Sequence, residues 1–400
     1  MEYIEPGSGQ YGRAISALFL GSFVTFAALY STQPLIPAIS REFNVTPAVG
    51  SLSLSLATGA LAVFMLVAPA ISDLTGRKPV MTASLLFSAV LSIFTAFTRS
   101  FTMLLLTRLL QGVFLAGFPA IAMGYINEEI DPRSTGLVMG IYVSGTSFGG
   151  MAGRIITGAL TDLFTWHTAL GILGAINLLV SFFFWRMLPE SRHFSPRKNT
   201  VQTTFFALFK NLRTPGLLPL YCLGFILMGA FVTLYNYIGY PLMAPPYNLS
   251  QTVAGLIFLV YLTGTFSSAW MGGLADRTNR AKVLKAGIAI MFSGALLTLD
   301  SVLIIKIIGI AIFTFGFFGS HSVASGWVGK RAGTDSKAQA SSLYLLFYYA
   351  GSSLVGTTGG LFWSRCGWAG VVSLIGFLLF TAFCLSLLVH VVKVNAKRVT

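Results

Sequence analysis

The chain has 400 residues, 55% of them hydrophobic and only 10% charged, with a net charge of +14 and a mean hydropathy of +0.78. Soluble domains carry about 25% charged residues, and disordered chains join low hydrophobicity to high charge, so both classes are excluded. A protein solvated mainly by lipid remains, and its basic surplus has to be read from where the cations fall.

Charged residues punctuate the sequence, and the stretches between them give the predicted elements in chain order. Uncharged runs cover 14–40, 43–72, 79–98, 109–127, 134–153 and 163–185. A bilayer core of about 30 Å needs about 20 helical residues, so each run predicts one membrane span. The run 14–40 is too long for the apolar region of a secretory signal and is expected to be retained as span 1. A polar stretch at 189–214 follows. The run 214–275 has room for two spans and a turn, visible as Tyr240-Pro-Leu-Met-Ala-Pro-Pro-Tyr-Asn-Leu-Ser250, which is rich in turn formers. Runs at 286–299, 307–329, 338–364 and 366–392 complete the set. Hydrophobicity is continuous within each run, unlike the alternation of an outer-membrane barrel. The expectation is an all-α membrane protein with twelve transmembrane helices. It divides into an N-terminal six-helix bundle (1–188), a cytoplasmic linker (189–214) and a C-terminal six-helix bundle (215–400).

Lys and Arg concentrate in cytoplasmic loops of membrane proteins. With a cytoplasmic N-terminus, twenty of the 26 cations fall in inner loops and tails, and only Arg41, Arg99 and Arg365 in outer ones. Both termini are therefore expected in the cytoplasm. The basic surplus becomes mostly an insertion signal, and nucleic acid is not expected as a partner. Cys222, Cys366 and Cys384 form neither a disulfide framework nor a metal-ligand spacing, and no metal site is expected.

The sequence also repeats itself. Gly21-Ser-Phe-Val-Thr-Phe26 matches Gly229-Ala-Phe-Val-Thr-Leu234, Pro34-Leu35 matches Pro241-Leu242, Thr58-Gly59 matches Thr263-Gly264, Asp73 matches Asp276, and Tyr142-Val-Ser-Gly145 matches Tyr348-Tyr-Ala-Gly351. Matches in this order, 203 to 208 residues apart, point to a duplicated six-helix unit. Two parallel repeats imply a pseudo-twofold axis along the membrane normal and a substrate site near the midplane.

Ala70-Ile-Ser-Asp-Leu-Thr-Gly-Arg-Lys78 resembles the signature loop between spans 2 and 3 of the major facilitator superfamily, with Pro69 in place of its first Gly. Gly272-Gly-Leu-Ala-Asp-Arg-Thr-Asn-Arg280 is similar, with Asn279 in place of the later Gly. Arg108-Leu-Leu-Gln-Gly112 resembles the span-4 motif R-x-x-Q-G. Gly136, Gly145, Gly149, Gly150 and Gly153 follow the span-5 antiporter motif, with Gly150 in place of its Pro and Arg154 in place of its last Gly. The resemblance spans nearly the whole chain and points to the twelve-span drug/proton antiporter and efflux-permease branch. Pro189-Glu-Ser-Arg-His-Phe194 and His321-Ser-Val-Ala-Ser325 resemble those of YnfM-type bacterial inner-membrane transport proteins.

The resemblance implies alternating access in a monomer of the bacterial inner membrane, driven by a proton gradient, with no cofactor. It implies conformational latches at the cytoplasmic side. Asp73, with Gly76, Arg77 and Lys78, would hold the start of a helix in the other half, and Asp276, with Arg277 and Arg280, would be the mirror copy near Arg133. Gly76 would supply a backbone conformation that other residues resist. Gly145, Gly149, Gly150 and Gly153 would form a close-packed seam, which the resemblance sets against the other half; general close packing with no gating role is the alternative.

Charges inside the spans carry the rest. Arg108, beside Gln111, is about 10 Å from the outer end of span 4, and Arg154 about 12 Å deep in span 5. A central Arg costs about 2.5–3.5 kcal/mol on the insertion scale unless it faces protein or water. Lys306 near the outer end of span 10 is expected to snorkel. No acid lies in the middle of a span, so a net-positive cavity suited to neutral or anionic molecules is expected. His321 is the only histidine well inside a span and a candidate proton carrier; Asp162 paired with Arg154 is the alternative. Tyr30, Gln33, Tyr142, Asn236, Tyr237 and Tyr348 are candidate lining residues. No nucleotide loop, metal cluster or sizeable soluble domain supports an enzyme or receptor. The function expected is proton-coupled efflux of a small organic molecule, with cationic multidrug efflux or uptake of an organic anion as alternatives.

Overall fold

The computed structural model describes residues 3–193, 211–212, 214, 216–332 and 337–396, with side chains in the last helix described for 339–388. Most of the expected linker, 194–210 and 213, lies outside the described residues. Among the described residues every regular element is a helix, and the one β pairing is a parallel bridge between Ile4 and Ile130.

The helices reproduce the expected spans. Span 1 is Gly9–Tyr30, followed by turns and the short helix Ile36–Glu42. Span 2 is Leu52–Phe64 and Ala68–Thr75, bent by 53° at the break between them. Spans 3 to 6 are Arg77–Thr95, Phe101–Glu129, Thr135–Leu163 and Trp166–Met187. Spans 7 and 8 are Leu218–Met243 and Gln251–Arg277. Spans 9 and 10 are Arg280–Leu297 and Leu303–Arg331. Spans 11 and 12 share Lys337–Ala396, which breaks at Cys366 and at Gly367, where φ is +57°, a conformation glycine adopts freely. Inner and outer ends are named from the cation distribution.

By packing, the chain forms two compact units. The first holds the described residues of Met1–Phe43, Leu56–Val201 and Ser250–Leu256. The second holds those of Asn44–Ser55, Gln202–Leu249 and Ile257–Thr400. The cut falls inside the expected linker, but each unit also takes the outer beginning of a span from the other repeat. In the first unit, Leu18, Val24, Phe118, Tyr125, Tyr142 and Phe184 lie in one core. In the second, Phe231 stacks on Phe317 with centroids 3.8 Å apart, beside Tyr235, Phe258 and Tyr261. Phe94, Leu163, Phe266 and Phe377 stay more than half exposed, an outer surface suited to lipid. Several hydroxyl side chains inside spans return bonds to their own helix, as Thr25 does to the Gly21 carbonyl at 2.8 Å, which satisfies them without water.

The glycine seam packs within its own unit. A Cβ added at Gly145 would lie 2.7 Å from the Phe19 carbonyl oxygen, at Gly149 2.2 Å from that of Phe23, and at Gly153 2.6 Å from Ala27 Cα. Gly150 instead faces the Arg154 guanidinium. The 145/149/153 face therefore lets span 5 lie on the backbone of span 1, as the close-packing alternative has it. Glycines four apart on one helix face can bury their stripe against only one neighbour, and span 1 occupies it.

The same contacts recur in the second unit. Gly351 meets Phe225, Val355 meets Gly229, and Gly359 meets Thr233. Each of these residues lies 206 positions after its counterpart in the first unit. The duplication is thus visible as repeated contacts. The register of spans 1 and 7 is 206, two residues away from the sequence match of Gly21 with Gly229, because Gly229 packs where Phe23 does.

Candidate functional site

Span 1 ends early. Pro34 lacks the amide that would continue the ladder, and its ring would clash with the carbonyl four residues back. Pro37, three residues on, starts the next short helix. Residues 31–35 between them are turns, with Gln33 N donating to Tyr30 O at 3.1 Å and Leu35 N to Thr32 O at 3.0 Å.

Buried side chains of the first unit converge on this break. Arg108 Nη1 donates to Ala28 O at 3.1 Å and Nη2 to Leu29 O at 2.6 Å. Nη1 also donates to Gln111 Oε1. Arg154 Nε donates to Gln33 Oε1 at 2.6 Å and Nη1 to Gly150 O at 2.5 Å. Its guanidinium carbon sits 4.0 Å from the centre of the Tyr30 ring, within cation–π range. Thr157 donates to Ser31 O at 3.0 Å, and Gln251 Nε2 to Pro34 O. Asp162 is not the partner of Arg154 in this arrangement: its carboxylate accepts from Gln251 N at 3.0 Å and Thr252 N at 2.7 Å, capping the start of span 8.

In the second unit His321 is half-buried and its Nδ1 lies 2.9 Å from Tyr344 Oη. Its ring is 4.7 Å from that of Tyr348. Asn236 and Tyr237 are buried and donate to Gly356 O at 3.4 and 2.8 Å, which joins span 7 to span 11. Tyr142 lies in the first unit's core against Phe118, with ring centroids 6.3 Å apart. Lys306 does not snorkel. It is 4% exposed and donates to Thr298 O, near the rings of Tyr247 and Trp368. Span 9 ends at Leu297, and its last free carbonyls draw the ammonium inward.

At the inner end, Gly76 holds φ at +102° between spans 2 and 3. Arg77 forks across Glu128 at 2.8 and 3.0 Å and reaches Asp73 at 2.7 Å. Lys78 pairs with Glu190 at 2.9 Å. Arg133 N donates to Asp131 at 2.8 Å. In the second copy, Asp276 pairs with Arg280 and with Lys330 at 3.0 Å, and Arg277 is exposed. Neither the Glu128 partner nor the Lys330 partner was foreseen. The adjacent acids Glu128 and Glu129 at the end of span 4 were the available signal.

The sequence profile of the Major Facilitator Superfamily matches residues 18–356. The chain belongs to the major facilitator superfamily. This transporter is 49% identical over 399 residues to the MFS-type transporter YybF of Bacillus subtilis (strain 168), covering 100% of this chain and 98% of that one. It is 44% identical over 389 residues to the inner membrane transport protein YnfM of Escherichia coli (strain K12), covering 97% and 93%. In fold it is similar to a bacterial homologue of the human lysosomal transporter Spinster, with a TM-score of 0.76, 16% identity and 98% of each chain covered.

Proposed function

We propose that this transporter exports a small neutral or anionic amphipathic molecule from the cytoplasm by alternating access, driven by inward proton flow, with both termini cytoplasmic. The observation that carries the reading is Arg154. The residue is 2% exposed, and its guanidinium is held by an amide oxygen, a backbone carbonyl and a tyrosine ring. Burying a cation is costly, and an anionic or strongly dipolar cargo group at Arg154 would lower that cost. Gln33 and Tyr30 would then orient the cargo group together with Arg154. We assign the coupling proton to His321, whose ring nitrogen already shares a hydrogen bond with Tyr344 and whose residue type titrates near neutral pH.

The test is flux in proteoliposomes under an imposed pH gradient, with a mixed library of paired anionic, neutral and cationic compounds read by mass spectrometry. Anionic or neutral amphiphiles should move against the proton gradient. A strong preference for lipophilic cations would overturn the cargo assignment. Intact proton-driven flux in both His321→Ala and His321→Gln would overturn the coupling assignment.

A further inference from the structure

The two copies of the inner signature loop carry opposite charge balances. In the first, Arg77 is shared by two carboxylates, Asp73 at 2.7 Å and Glu128 at 2.8 Å. In the second, Asp276 and Arg280 stand 203 positions after Asp73 and Arg77. There Asp276 is shared by two cations, Arg280 and, at 3.0 Å, Lys330. Span 10, the repeat of span 4, thus brings a cation where span 4 brings an acid. The first triad has a negative charge in excess. The second has a positive charge in excess, and its Lys330 side chain is 61% exposed.

A cavity opens at this second triad. It has a volume of about 270 Å³, and Asp276, Thr278, Arg280, Trp327 and Lys330 line it, all within the second unit. Sites for drug-sized molecules measure about 300–1,000 Å³, so this space suits a headgroup rather than a cargo. The first amides of span 9 already donate to Asn279 Oδ1. Side chains, not the helix start, therefore supply its attraction for an anion. Trp327 gives it an indole wall, and tryptophan gathers at membrane–water interfaces.

An apolar ridge leads to the cavity. Phe266, Trp270 and Leu274 follow one another at four-residue spacing on span 8, which puts them on one face, and all three are exposed. Thr278, four residues further on at the helix end, lines the cavity. Phe315 of span 10 flanks the ridge, with ring centroids 6.5 Å from Phe266 and 6.0 Å from Trp270. A ligand that uses cavity and ridge together needs an anionic head and an apolar chain. A soluble phosphate would use only the cavity. We propose that the cavity at Asp276, Arg280 and Lys330 binds the headgroup of an anionic phospholipid of the inner leaflet, with an acyl chain along Phe266, Trp270 and Leu274. Arg280 and Lys330 hold the phosphate, and Asp276 holds the two cations together. The site uses neither Arg154 nor His321, so the inference stands apart from the cargo and coupling readings.

The experiment is native mass spectrometry of the full chain, delipidated in detergent and titrated with dioleoylphosphatidylglycerol, dioleoylphosphatidylcholine or inorganic phosphate. The wild type should take up a phosphatidylglycerol at concentrations where phosphatidylcholine leaves it bare. Lys330→Gln should weaken this first binding about fivefold, the contribution of one cation near an anionic lipid surface. Lys330→Glu gives the second triad the composition of the first and should weaken binding more than about tenfold. Because Lys330 is exposed, both variants should fold as the wild type does. Arg186→Gln removes an exposed cation at the inner end of span 6 and should leave binding unchanged. Inorganic phosphate should not displace the bound phosphatidylglycerol. Equal binding by the wild type and both Lys330 variants overturns the proposal. Equal losses in Lys330→Gln and Arg186→Gln also overturn it, since they mark diffuse attraction to the whole basic rim. Displacement by inorganic phosphate overturns the lipid assignment in favour of a soluble anion. No cargo or pH gradient is present, so none of these results bears on the direction or chemistry of transport.

Discussion

In the first unit the turn after span 2 is made by Gly76 at φ +102°, and Arg77 just beyond it ties Asp73 to Glu128. In the second unit the same turn is held by Asn279 at φ −118°, whose side-chain oxygen caps span 9 through Ala281 N at 2.9 Å and Lys282 N at 3.3 Å. Asp276 then meets Arg280 and Lys330 at a largely exposed site. The seam shows the same divergence. Gly149 lies under Phe23 in one unit, and Val355 lies over Gly229 in the other, so the small residue has moved to the opposite helix. Duplication has kept where backbones approach and where helices begin, while the residue that permits each approach or start has changed. A motif copy that has lost a residue can therefore still perform the step by other chemistry.

The largest way to break this comparison is Gly149→Val. Its Cβ would fall 2.2 Å from the Phe23 carbonyl oxygen, and overpacking of backbone by about 3 kcal/mol is expected. Adding Phe23→Gly rebuilds the arrangement of Val355 with Gly229 and should recover part of the loss. Thermal unfolding in detergent reads both variants. If the double variant is no more stable than the single one, the two seams are not interchangeable. Next comes Gly76→Asn, which copies the second turn into the first. With φ +102° and ψ +155°, the site lies in a region open essentially to glycine, and a cost of about 1–3 kcal/mol is expected. Smaller again is the contrast between Arg77→Ala and Arg277→Ala. The first strands two carboxylates that are partly shielded, at about 1–2 kcal/mol, and the second, at an exposed residue, should stay within about 0.5 kcal/mol. Equal melting temperatures for the two would dissolve the distinction between anchored and solvated copies.

The spans, their order and the repeat were legible because lipid demands long uncharged runs, interrupted by charges everywhere but at the turn Tyr240–Ser250. Gly76 was legible because a motif required a turn where only glycine fits. The seam was legible as a stripe but not in its partner, since small residues at helical spacing say that something comes close and not which helix does. Arg108 and Arg154 were legible as buried cations. Their attachment to the end of span 1 was not, because a carbonyl freed by an unwound segment leaves no mark on the sequence. Pro34 and Pro37 hinted at that break, but Pro241 in the unbroken span 7 shows that one proline alone does not decide it. Lys306 misled for the same reason: its partner is the backbone of Thr298, which no side-chain pattern announces.

The finest distinction concerns Asn279, and its expected effect is the smallest. If the second turn works by capping, Asn279→Ala should cost about 1 kcal/mol, and Asn279→Gly only a few tenths, about 0.3 kcal/mol. Glycine leaves the first amides of span 9 open to water, whereas the alanine methyl hinders their solvation. The order Ala below Gly below wild type in melting temperature is therefore the signature of a cap. A turn that depended on its backbone conformation would give another order, because at φ −118° alanine fits as well as asparagine and glycine would be the costlier choice. The two copies of one motif would then differ in sequence but not in the physical reason each turn holds.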